Sequence, residues 1–396
     1  MDVGIVGAGI VGLTLARQLV LAEPSCRVTV FEKEDALGQH QTSHNSGVVH
    51  AGLYYAPGSL KATLCSRGRD MLREYCASAN VPYRESGKLV VAVNDGEVAG
   101  LREIQRRSEA NQVPDLRWLD GREIAEIEPH VRGVAALHSP HTGVADFAAL
   151  ARAVAAEVVG AGGVLKTSSR VTGISRRNGR IHVVANEQES VFDRVVVCAG
   201  LQSDRVSRLA GGPKDPAIVP FLGMYYRLVA DRRDLVKSLI YPVPDPRYPF
   251  LGVHLTRTVH DDVLVGPNAL LALAREGYRP MGVSLRDTAE MLRWPGFYRL
   301  ILRNWKSGLR EMVGASSKRL FVAAAQRYVP ELSPDDVERG ATGVRAQAVS
   351  ADGSLADDFA LADEGGVLSV RNAPSPAATS SFAIAEHLAS IVLQKQ

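Results

Sequence analysis

The sequence has few of the features that mark disulfide-bonded, zinc-binding or membrane-spanning proteins. Its four cysteines, Cys26, Cys65, Cys76 and Cys198, never form a Cys-x-x-Cys pair, so neither a disulfide framework nor a zinc site is expected. No run approaches the roughly 18 uninterrupted apolar residues of a membrane span, and no room is left before the first predicted strand for a signal peptide. The formal charge of +3, from 46 basic and 43 acidic residues, gives no general attraction to nucleic acid. We therefore expect a cytoplasmic protein that binds neither a metal ion nor nucleic acid.

Residues 1–32 carry a dinucleotide-binding pattern. A short apolar strand is followed by Gly7, Gly9 and Gly12 at the G-x-G-x-x-G spacing, then by a helical apolar pattern and a second strand that ends at Glu32. The glycines permit a tight turn, close approach to a pyrophosphate and close packing of helix on strand, while the acidic residue can accept hydrogen bonds from ribose hydroxyls. FAD and NAD share this pattern, so it predicts a dinucleotide without choosing between the two.

The rest of the chain alternates between pieces of this domain and a second one. Strands are predicted at 87–93, 163–175, 180–185, 191–198 and 367–370, and helices at 146–159, 285–313 and 377–393. The segment 216–266 is rich in β-type pieces, which is typical of an antiparallel sheet over a substrate cavity. The predicted class is α/β, with a Rossmann-like domain (1–86, 140–215 and 335–396) interleaved with an antiparallel-sheet substrate domain (87–139 and 216–334).

Several short sequence segments resemble those of one family and thereby favour FAD over NAD. The run HNSGVVHAGLYY at 44–55 resembles the flavin-contacting segment of the D-amino-acid oxidase and glycerol-3-phosphate dehydrogenase superfamily. Its form is similar to that of the L-2-hydroxyglutarate oxidase/dehydrogenase family. The same resemblance is carried by the blocks at 241–246, 249–257, 265–269, 343–349 and 372–380. Because these blocks span nearly the whole chain, chance agreement is implausible.

The resemblance implies a noncovalently held FAD, an L-2-hydroxy dicarboxylate substrate, and electron delivery to a membrane quinone or to oxygen. An apolar strand that ends in Ala199 and Gly200 suits a backbone segment passing close to the cofactor. The residues expected to contact FAD are Gly7, Gly9, Gly12, Glu32, Asn45, Ser46, Val171, Ala199, Gly200, Ser375, Ala377 and Thr379.

Oxidation of a 2-hydroxy acid moves the C2 hydride to flavin N5 while a base takes the hydroxyl proton. Imidazole suits that base because its ordinary pKa lies near neutrality. His50 lies in the flavin-contacting loop and His254 in the predicted roof sheet, so either could be the base. His50 could instead form a covalent bond to the flavin, as in some relatives.

Binding a dicarboxylate requires cationic groups, and the arginine fork matches a carboxylate. Arg345 is the leading candidate because its block lies just before the C-terminal cofactor segment, and Arg257 and Lys61 are the alternatives. The side chains of Tyr54, Tyr225 and Tyr241 are expected to line the substrate site.

The segment after Ser375 predicts a tight turn into a helix, with Pro376 in the first helical position. The N-terminus of that helix would stabilise negative charge at the N1/C2=O edge of the reduced flavin. Two other functions stay open at this point: a flavin enzyme for another small substrate, such as an amino acid or glycerol phosphate, and a flavin-binding protein without turnover.

Residues 294–313 combine apolar, aromatic and basic side chains at helical spacing. Pro295 is tolerable in a first helical turn, and no acidic residue lies between Arg293 and Arg310. The apolar set is Phe297, Tyr298, Ile301, Leu302, Trp305 and Leu309, and the basic set is Arg299, Arg303, Lys306 and Arg310. Such a helix can lie in the lipid interface, which predicts peripheral contact with the inner face of the cell membrane. It can equally pack on the substrate domain with solvated arginines.

Overall fold

The computed structural model describes residues 1–245, 251–279 and 282–394. Pro246, Pro249 and Phe250 of the family-specific blocks, and the side chain of Arg310, lie outside the described residues.

A mostly parallel sheet forms the base of the nucleotide-binding half. Its central strand β1 (Asp2–Val6) pairs in parallel with its two neighbours, and only the edge strand β20 runs antiparallel among the described pairings. In spatial order the strands are β20 (Ala360–Glu364), β21 (Val367–Asn372), β13 (Arg194–Val197), β1, β2 (Arg27–Phe31) and β9 (Val164–Lys166). This sheet matches the Rossmann-like arrangement expected from residues 1–32.

Helices cover one face of this sheet and a small sheet covers the other. On the helical face, Leu13, Leu19, Val154 and Leu388 are fully buried, and each buried side chain of this size contributes roughly 1.5–3 kcal/mol. The helices are α1 (Ile10–Ala22), α2 (Leu60–Ser78), α5 (Phe147–Gly160) and α10 (Ser381–Leu393). The strands on the other face are β10 (Val171–Arg177), β11 (Arg180–Ala185) and β12 (Gln188–Phe192).

A larger sheet forms the roof over the substrate side. Neighbouring strands in it are antiparallel in the described pairings except β15 and β5, which are parallel, so the expected antiparallel sheet is in fact mixed. In spatial order the strands are β18 (Leu270–Leu271), β14 (Ala217–Leu228), β17 (Val263–Gly266), β16 (His254–Arg257), β15 (Leu239–Pro242), β5 (Lys88–Ala92), β7 (Ala135–Ser139) and β6 (Arg117–Asp120), with β19 (Val337–Val349) also paired to β14.

The remaining elements connect the two halves or cover the roof. A short three-stranded sheet connects the flavin-contacting loop to later parts of the chain. In spatial order its strands are β3 (Val48–Val49), β8 (Gly143–Ala145) and β4 (Tyr83–Glu85). The other helices are α3 (Asp95–Ala110), α4 (Gly121–Ile127), α6 (Ser203–Leu209), α7 (Leu285–Arg293), α8 (Pro295–Ser316) and α9 (Lys318–Gln326).

Several predicted boundaries were wrong. The strand expected at 163–175 is two strands in different sheets, β9 and β10, and the one expected at 191–198 is divided between β12 and β13. The helical block at 285–313 divides at Trp294, because a residue before proline disfavours helical backbone, and Pro295 then opens α8 as expected.

The last helix begins at Ser381, so Pro376 is not in the first helical position. Residues 375–380 instead form turns, in which the Ala377 and Ser380 N–H groups donate to the carbonyls of Pro374 and Pro376. In these turns Thr379 contacts the flavin-contacting loop, where its Oγ1 accepts from His50 N–H at 3.1 Å.

The division of the chain into domains stays a prediction. The sheets draw their strands from separated parts of the chain, in line with an interleaved arrangement. Strand β19, which was assigned to the nucleotide-binding domain, pairs along its length with β14 of the roof.

Candidate active site

A cavity of about 940 Å³ lies between the nucleotide-binding sheet and the roof. Its lower wall comes from residues that follow β1, β2, β13 and β21, which are the carboxyl ends of neighbouring strands. Open α/β sheets bind their ligands at this edge, so the fold itself places the site here. The volume is sufficient for a large ligand.

The glycine turn after β1 forms part of this wall. Gly7 has a φ of +108°, and a Cβ atom there would lie 2.4 Å from the Cys198 carbonyl oxygen. A Cβ atom on Gly12 would lie 2.0 Å from the Gly7 carbonyl oxygen, because α1 starts directly against the turn. Side chains are therefore excluded from both positions, and the backbone of the first turn of α1 lines the cavity.

Side-chain oxygens hold this turn in place. The Ala8 and Glu34 N–H groups donate to the two carboxylate oxygens of Glu32 at 2.9 and 3.0 Å, and Ile10 N–H donates to Thr42 Oγ1 at 3.0 Å. Both side chains line the cavity. A carboxylate has about four acceptor sites, so Glu32 retains capacity for ribose hydroxyls. A cradle that a Cβ atom would fill, a helix N-terminus and an acidic acceptor together fit the pyrophosphate and ribose of FAD.

The flavin-contacting loop is fixed between the two halves. Asn45 Nδ2 donates to the Gln41 and Thr42 carbonyls, and its Oδ1 accepts from Gly47 N–H at 2.8 Å. His50 N–H donates to Thr379 Oγ1 at 3.1 Å, which ties the loop to the turns before α10. The roof strand β19 contacts this loop, where the Thr342 carbonyl oxygen lies 3.0 Å from His44 Nδ1.

Two roof strands direct side chains into the cavity. On β19, the consecutive residues 343–347 line the cavity, and Arg345 is the charged one among them. On β14, the register shifts between Met224 and Tyr226, and the intervening Tyr225 lines the cavity and hydrogen-bonds to Ser46. Burial lowers the pKa of Arg345, although an arginine stays protonated at neutral pH.

Both candidate bases line the cavity as neutral imidazoles. Burial, followed by the charge of Lys88, holds the pKa of His50 well below its ordinary value. Burial lowers the pKa of His254 to about 4. His254 Nδ1 lies 3.0 Å from the Gly252 carbonyl oxygen, which can only accept, so Nδ1 carries the hydrogen and Nε2 is the basic atom. The Tyr241 ring stacks on this imidazole at 4.0 Å.

Comparison with known proteins identifies the relatives of this chain. The family model described as FAD dependent oxidoreductase matches residues 2–391. Mitochondrial L-2-hydroxyglutarate dehydrogenases of Caenorhabditis elegans and Homo sapiens are each 44% identical to the chain, across 100% of it and 93% and 89% of their own lengths. The L-2-hydroxyglutarate dehydrogenase of Escherichia coli is 40% identical, over 99% of this chain and 93% of its own.

The chain belongs to the L-2-hydroxyglutarate dehydrogenase family of FAD-dependent oxidoreductases. This confirms the family expected from the sequence, and with it FAD as the cofactor. Solved structures of more distant proteins share the fold. An L-alpha-glycerophosphate oxidase from Mycoplasma pneumoniae with FAD bound has a TM-score of 0.82 at 22% identity, covering 100% of this chain and 95% of that one. A glycine oxidase from Geobacillus kaustophilus has a TM-score of 0.76 at 19% identity, over the same shares of the two chains.

Most residues that were expected to form the site of this L-2-hydroxyglutarate dehydrogenase family member line the cavity. They are Gly7, Gly9, Glu32, Asn45, Ser46, His50, Lys61, Val171, Ala199, Gly200, Tyr225, Tyr241, His254, Arg345, Ser375, Ala377 and Thr379. Gly12 lies behind the cavity wall, where a Cβ atom would collide with the Gly7 carbonyl oxygen. Their assigned roles stay predictions.

Two expected substrate residues lie elsewhere. Arg257 Nε donates to Asp261 at 3.0 Å and its Nη1 to the Val236 carbonyl at 3.1 Å, away from the cavity. Because side chains alternate along β16, Arg257 and His254 point to opposite faces. Tyr54 lies behind the cavity wall, where the Nζ atom of Lys88 is 4.8 Å from its ring centroid.

Three residues were missed by the sequence interpretation. Thr42 Oγ1 accepts a hydrogen bond from Ile10 N–H in the first turn of α1, although the two residues are 32 positions apart in the sequence. Asn268 lines the cavity, its Oδ1 accepts from Met224 N–H, and its buried Nδ2 has no hydrogen-bond partner among the described residues. Lys88 is 1% exposed beside Tyr241. Asn268 lay within a family-specific block, whereas nothing in the local sequence of Lys88 or Thr42 marks them.

Across residues 1–245, 251–279 and 282–394, the structure contains no helix with the length and apolar character needed to cross a membrane.

Proposed function

We propose that the protein oxidises L-2-hydroxyglutarate to 2-oxoglutarate and passes the electrons to a membrane quinone or to oxygen. The carrying observation is that two neutral imidazoles, His50 and His254, line the same cavity as the cations Arg345 and Lys61. Relatives named L-2-hydroxyglutarate dehydrogenase that match the whole chain at 40–44% identity support this substrate.

The histidines supply the base that takes the proton from the substrate hydroxyl. When bound, FAD accepts the hydride from C2. His254 is favoured as the base because the Gly252 carbonyl fixes its tautomer and leaves Nε2 as the acceptor. His50 is the second candidate, held by its own backbone between Thr379 and Cys65.

The cations bind and orient the substrate carboxylates. Arg345 is placed for this by its position on β19, and its fork can hold a carboxylate through two hydrogen bonds. Lys61 Nζ donates to Asp357 Oδ1 at 2.9 Å, so a second carboxylate would share this ammonium group with Asp357. Arg345 is therefore proposed as the principal clamp, with Lys61 as its weaker companion. The residues just before α10 line the cavity, so the positive end of the helix dipole would act from behind them on a negative charge in the cavity.

The test is anaerobic titration of the yellow holoenzyme with both enantiomers of 2-hydroxyglutarate and with L-malate, L-lactate, glycine and glycerol 3-phosphate. We expect the L-enantiomer to bleach the flavin, with much weaker bleaching by L-malate because a shorter acid leaves one cationic group of the cavity without its carboxylate partner, at roughly 1–3 kcal/mol. Equal efficiency with L-malate would reject the two-clamp proposal. Bleaching by glycine or glycerol 3-phosphate alone would assign another substrate, and no bleaching with FAD bound would favour a flavin-binding protein without turnover.

We further propose that α8 attaches the protein to the surface of an anionic membrane. Its start is anchored by Phe297 and Leu300, which are buried against Val219 and Val349. Beyond them an apolar strip is exposed, formed by Tyr298, Ile301, Leu302, Trp305, Leu309, Met312 and Val313. Basic residues, including Arg303 and Lys306, are exposed on the same helix. Apolar area and positive charge together favour an anionic lipid surface, where each basic group contributes about 1 kcal/mol.

Cosedimentation with phosphatidylserine-containing vesicles at low and high salt tests this attachment. The variant Arg303→Glu, Trp305→Ala, Lys306→Glu should stay in the supernatant. The matched control Arg152→Glu, Lys214→Glu changes exposed basic residues outside α8 and should sediment like the wild type. If the wild type stays in the supernatant at low salt, or the α8 variant binds equally well, the attachment proposal is wrong.

A further inference from the structure

Lys88 is a buried cation that the proposed reaction does not yet use. It opens β5, where every residue is buried, and it is only 1% exposed. No carboxylate among the described residues forms an ion pair with it. Burying an unpaired ammonium group is expensive, so a side chain of this kind requires an explanation beyond packing.

Other buried cations in the described residues have conventional partners. Arg275 is 3% exposed and donates from Nη2 to Asp204 Oδ2 at 2.9 Å. Arg371 is 2% exposed and donates to the carbonyls of Pro213 and Pro216 at 2.6 Å. Lys88 instead contacts π-systems: its Nζ lies 3.7 Å from the Tyr241 ring centroid and 4.8 Å from that of Tyr54.

The position of Lys88 connects this cation to the reaction. Strands β5 and β15 run in parallel, with Lys88 opposite Leu239 and Val90 opposite Tyr241. Tyr241 lines the cavity and stacks on the His254 imidazole. The ammonium group therefore lies behind the cavity wall, next to the aromatic ring that supports one of the two candidate bases.

We propose that Lys88 is a positioning residue, whose buried ammonium group behind Tyr241 disfavours a second positive charge on the stacked His254 imidazole and attracts the substrate carboxylates to this end of the cavity. The proposal rests on the proposed function for its substrate and for the role of the histidines. A nearby positive charge opposes protonation of an imidazole, and a base must be unprotonated to accept the hydroxyl proton. The same charge favours an anionic substrate.

The surrounding groups fit this role. The pKa of Lys88 is lowered to about 7 by burial, so the ammonium group is charged over the acidic range in which the histidines titrate. Its charge in turn lowers the pKa of both His50 and His254. The titratable groups that face Lys88 or these histidines are Tyr54 from the flavin-contacting loop, Cys65 and Lys61 from α2, Tyr241 from β15 and Arg345 from β19. None of them is a carboxylate that would cancel the charge.

Lys88→Met and Lys88→Gln remove the charge while keeping a side chain of similar length. Both should raise the pKa of the two histidines, by about 1 unit for a charge at this range. The acidic limb of anaerobic flavin reduction by L-2-hydroxyglutarate should move to higher pH by the same amount, and substrate dissociation constants at neutral pH should rise. The melting temperature of Lys88→Met at pH 7 should equal or exceed that of the wild type, because the desolvation cost is removed.

Histidine NMR titration without substrate measures the same shift independently of turnover, in holoenzyme labelled at its histidine ring carbons. His50→Gln and His254→Gln variants assign the resonances, and Lys237→Met, at an exposed lysine just before β15, is the matched control with unchanged titrations. If both histidine pKa values are unchanged in folded Lys88→Met and Lys88→Gln, Lys88 is structural and the proposal is wrong. If the wild type is not bleached by L-2-hydroxyglutarate, the proposed function fails, while the NMR result still decides the effect of Lys88 on the histidines.

Discussion

The two ends of the cavity differ in the chemical groups that line them. At the nucleotide end, the wall includes a close backbone turn: Gly7 and Gly12 leave no space for a side chain, and the first turn of α1 lies beside them. At the roof end, the wall is made of side chains from separate strands, with His254, Tyr241 and Arg345 as the main examples. A backbone wall suits a cofactor shared by many enzymes, whereas a side-chain wall can change with the substrate. Substitutions should therefore separate cofactor binding from substrate chemistry.

The largest effect is expected from Gly12→Ala at the backbone end. The new Cβ would lie 2.0 Å from the Gly7 carbonyl oxygen, so α1 would have to move away from the turn. The protein should purify without its yellow colour, as measured by flavin absorbance per mole of chain. Gly160→Ala, at the end of α5 with open space around its Cβ, should retain full colour. Full FAD content in Gly12→Ala would contradict a backbone-built wall.

The histidine substitutions should leave cofactor binding intact and slow flavin reduction. Loss of a general base costs about 10²–10⁴ in rate, so we expect this loss for His254→Ala, with FAD content unchanged. Stopped-flow measurement of anaerobic flavin reduction checks it. If His254→Ala reduces at the normal rate and His50→Ala does not, the base is His50. FAD that stays with acid-precipitated wild-type protein but not with His50→Ala would instead indicate a covalent bond at His50.

Arg345→Ala should weaken substrate binding more than it slows the chemical step. A hydrogen bond to a charged group is worth about 1.5–3 kcal/mol, or roughly 10- to 150-fold in the dissociation constant. The dependence of the reduction rate on L-2-hydroxyglutarate concentration separates the two quantities. Arg257→Ala removes an arginine that lies outside the cavity and should bind substrate like the wild type. Equal losses in both variants would mean that the clamp is wrongly assigned.

The smallest expected effects concern the pH dependence of flavin reduction and of thermal stability. Because the pKa of His254 is lowered to about 4, the base stays unprotonated at neutral pH and flavin reduction should decline only as the pH falls toward 4. The same depressed pKa means that stability contributed by neutral His254 is present above its unfolded pKa, near 6.5, and is lost as the pH falls toward 4. Rate–pH and melting temperature–pH profiles of wild type and His254→Gln check both statements. An acidic limb near pH 6.5 in the wild type would exclude His254 as the depressed base.

The nucleotide end was predictable from sequence because its geometry follows from local spacing. Three glycines and one acid at fixed distances specify this turn, and two of its contacts, those of Gly12 with Gly7 and of Ala8 with Glu32, lie within one βαβ unit. Alternation along β16 separates Arg257 from His254, because the two residues lie three positions apart on one strand. The interpretation failed there because proximity to a motif was taken as proximity to the site.

The roof end depends on pairings between distant segments. Tyr225 lines the cavity beside a register shift between β14 and β19, and no local pattern in the sequence reveals this pairing or its shift. Lys88 reaches Tyr241 because β5 and β15 pair in parallel, across a sheet that the sequence predicted to be antiparallel. The charge of Lys88 could be read from the sequence, but its burial and its neighbours could not.

The most direct test of the central claim is a single anaerobic turnover in which reduction of the FAD and formation of the product are measured together. Oxidised holoenzyme is mixed with one equivalent of L-2-hydroxyglutarate without oxygen or quinone, and flavin absorbance and 2-oxoglutarate are measured in the same sample. The predicted result is one 2-oxoglutarate formed for each FAD bleached, with no change on adding the D-enantiomer. Bleaching without 2-oxoglutarate, or an unchanged flavin spectrum in FAD-loaded protein, would contradict the proposed function.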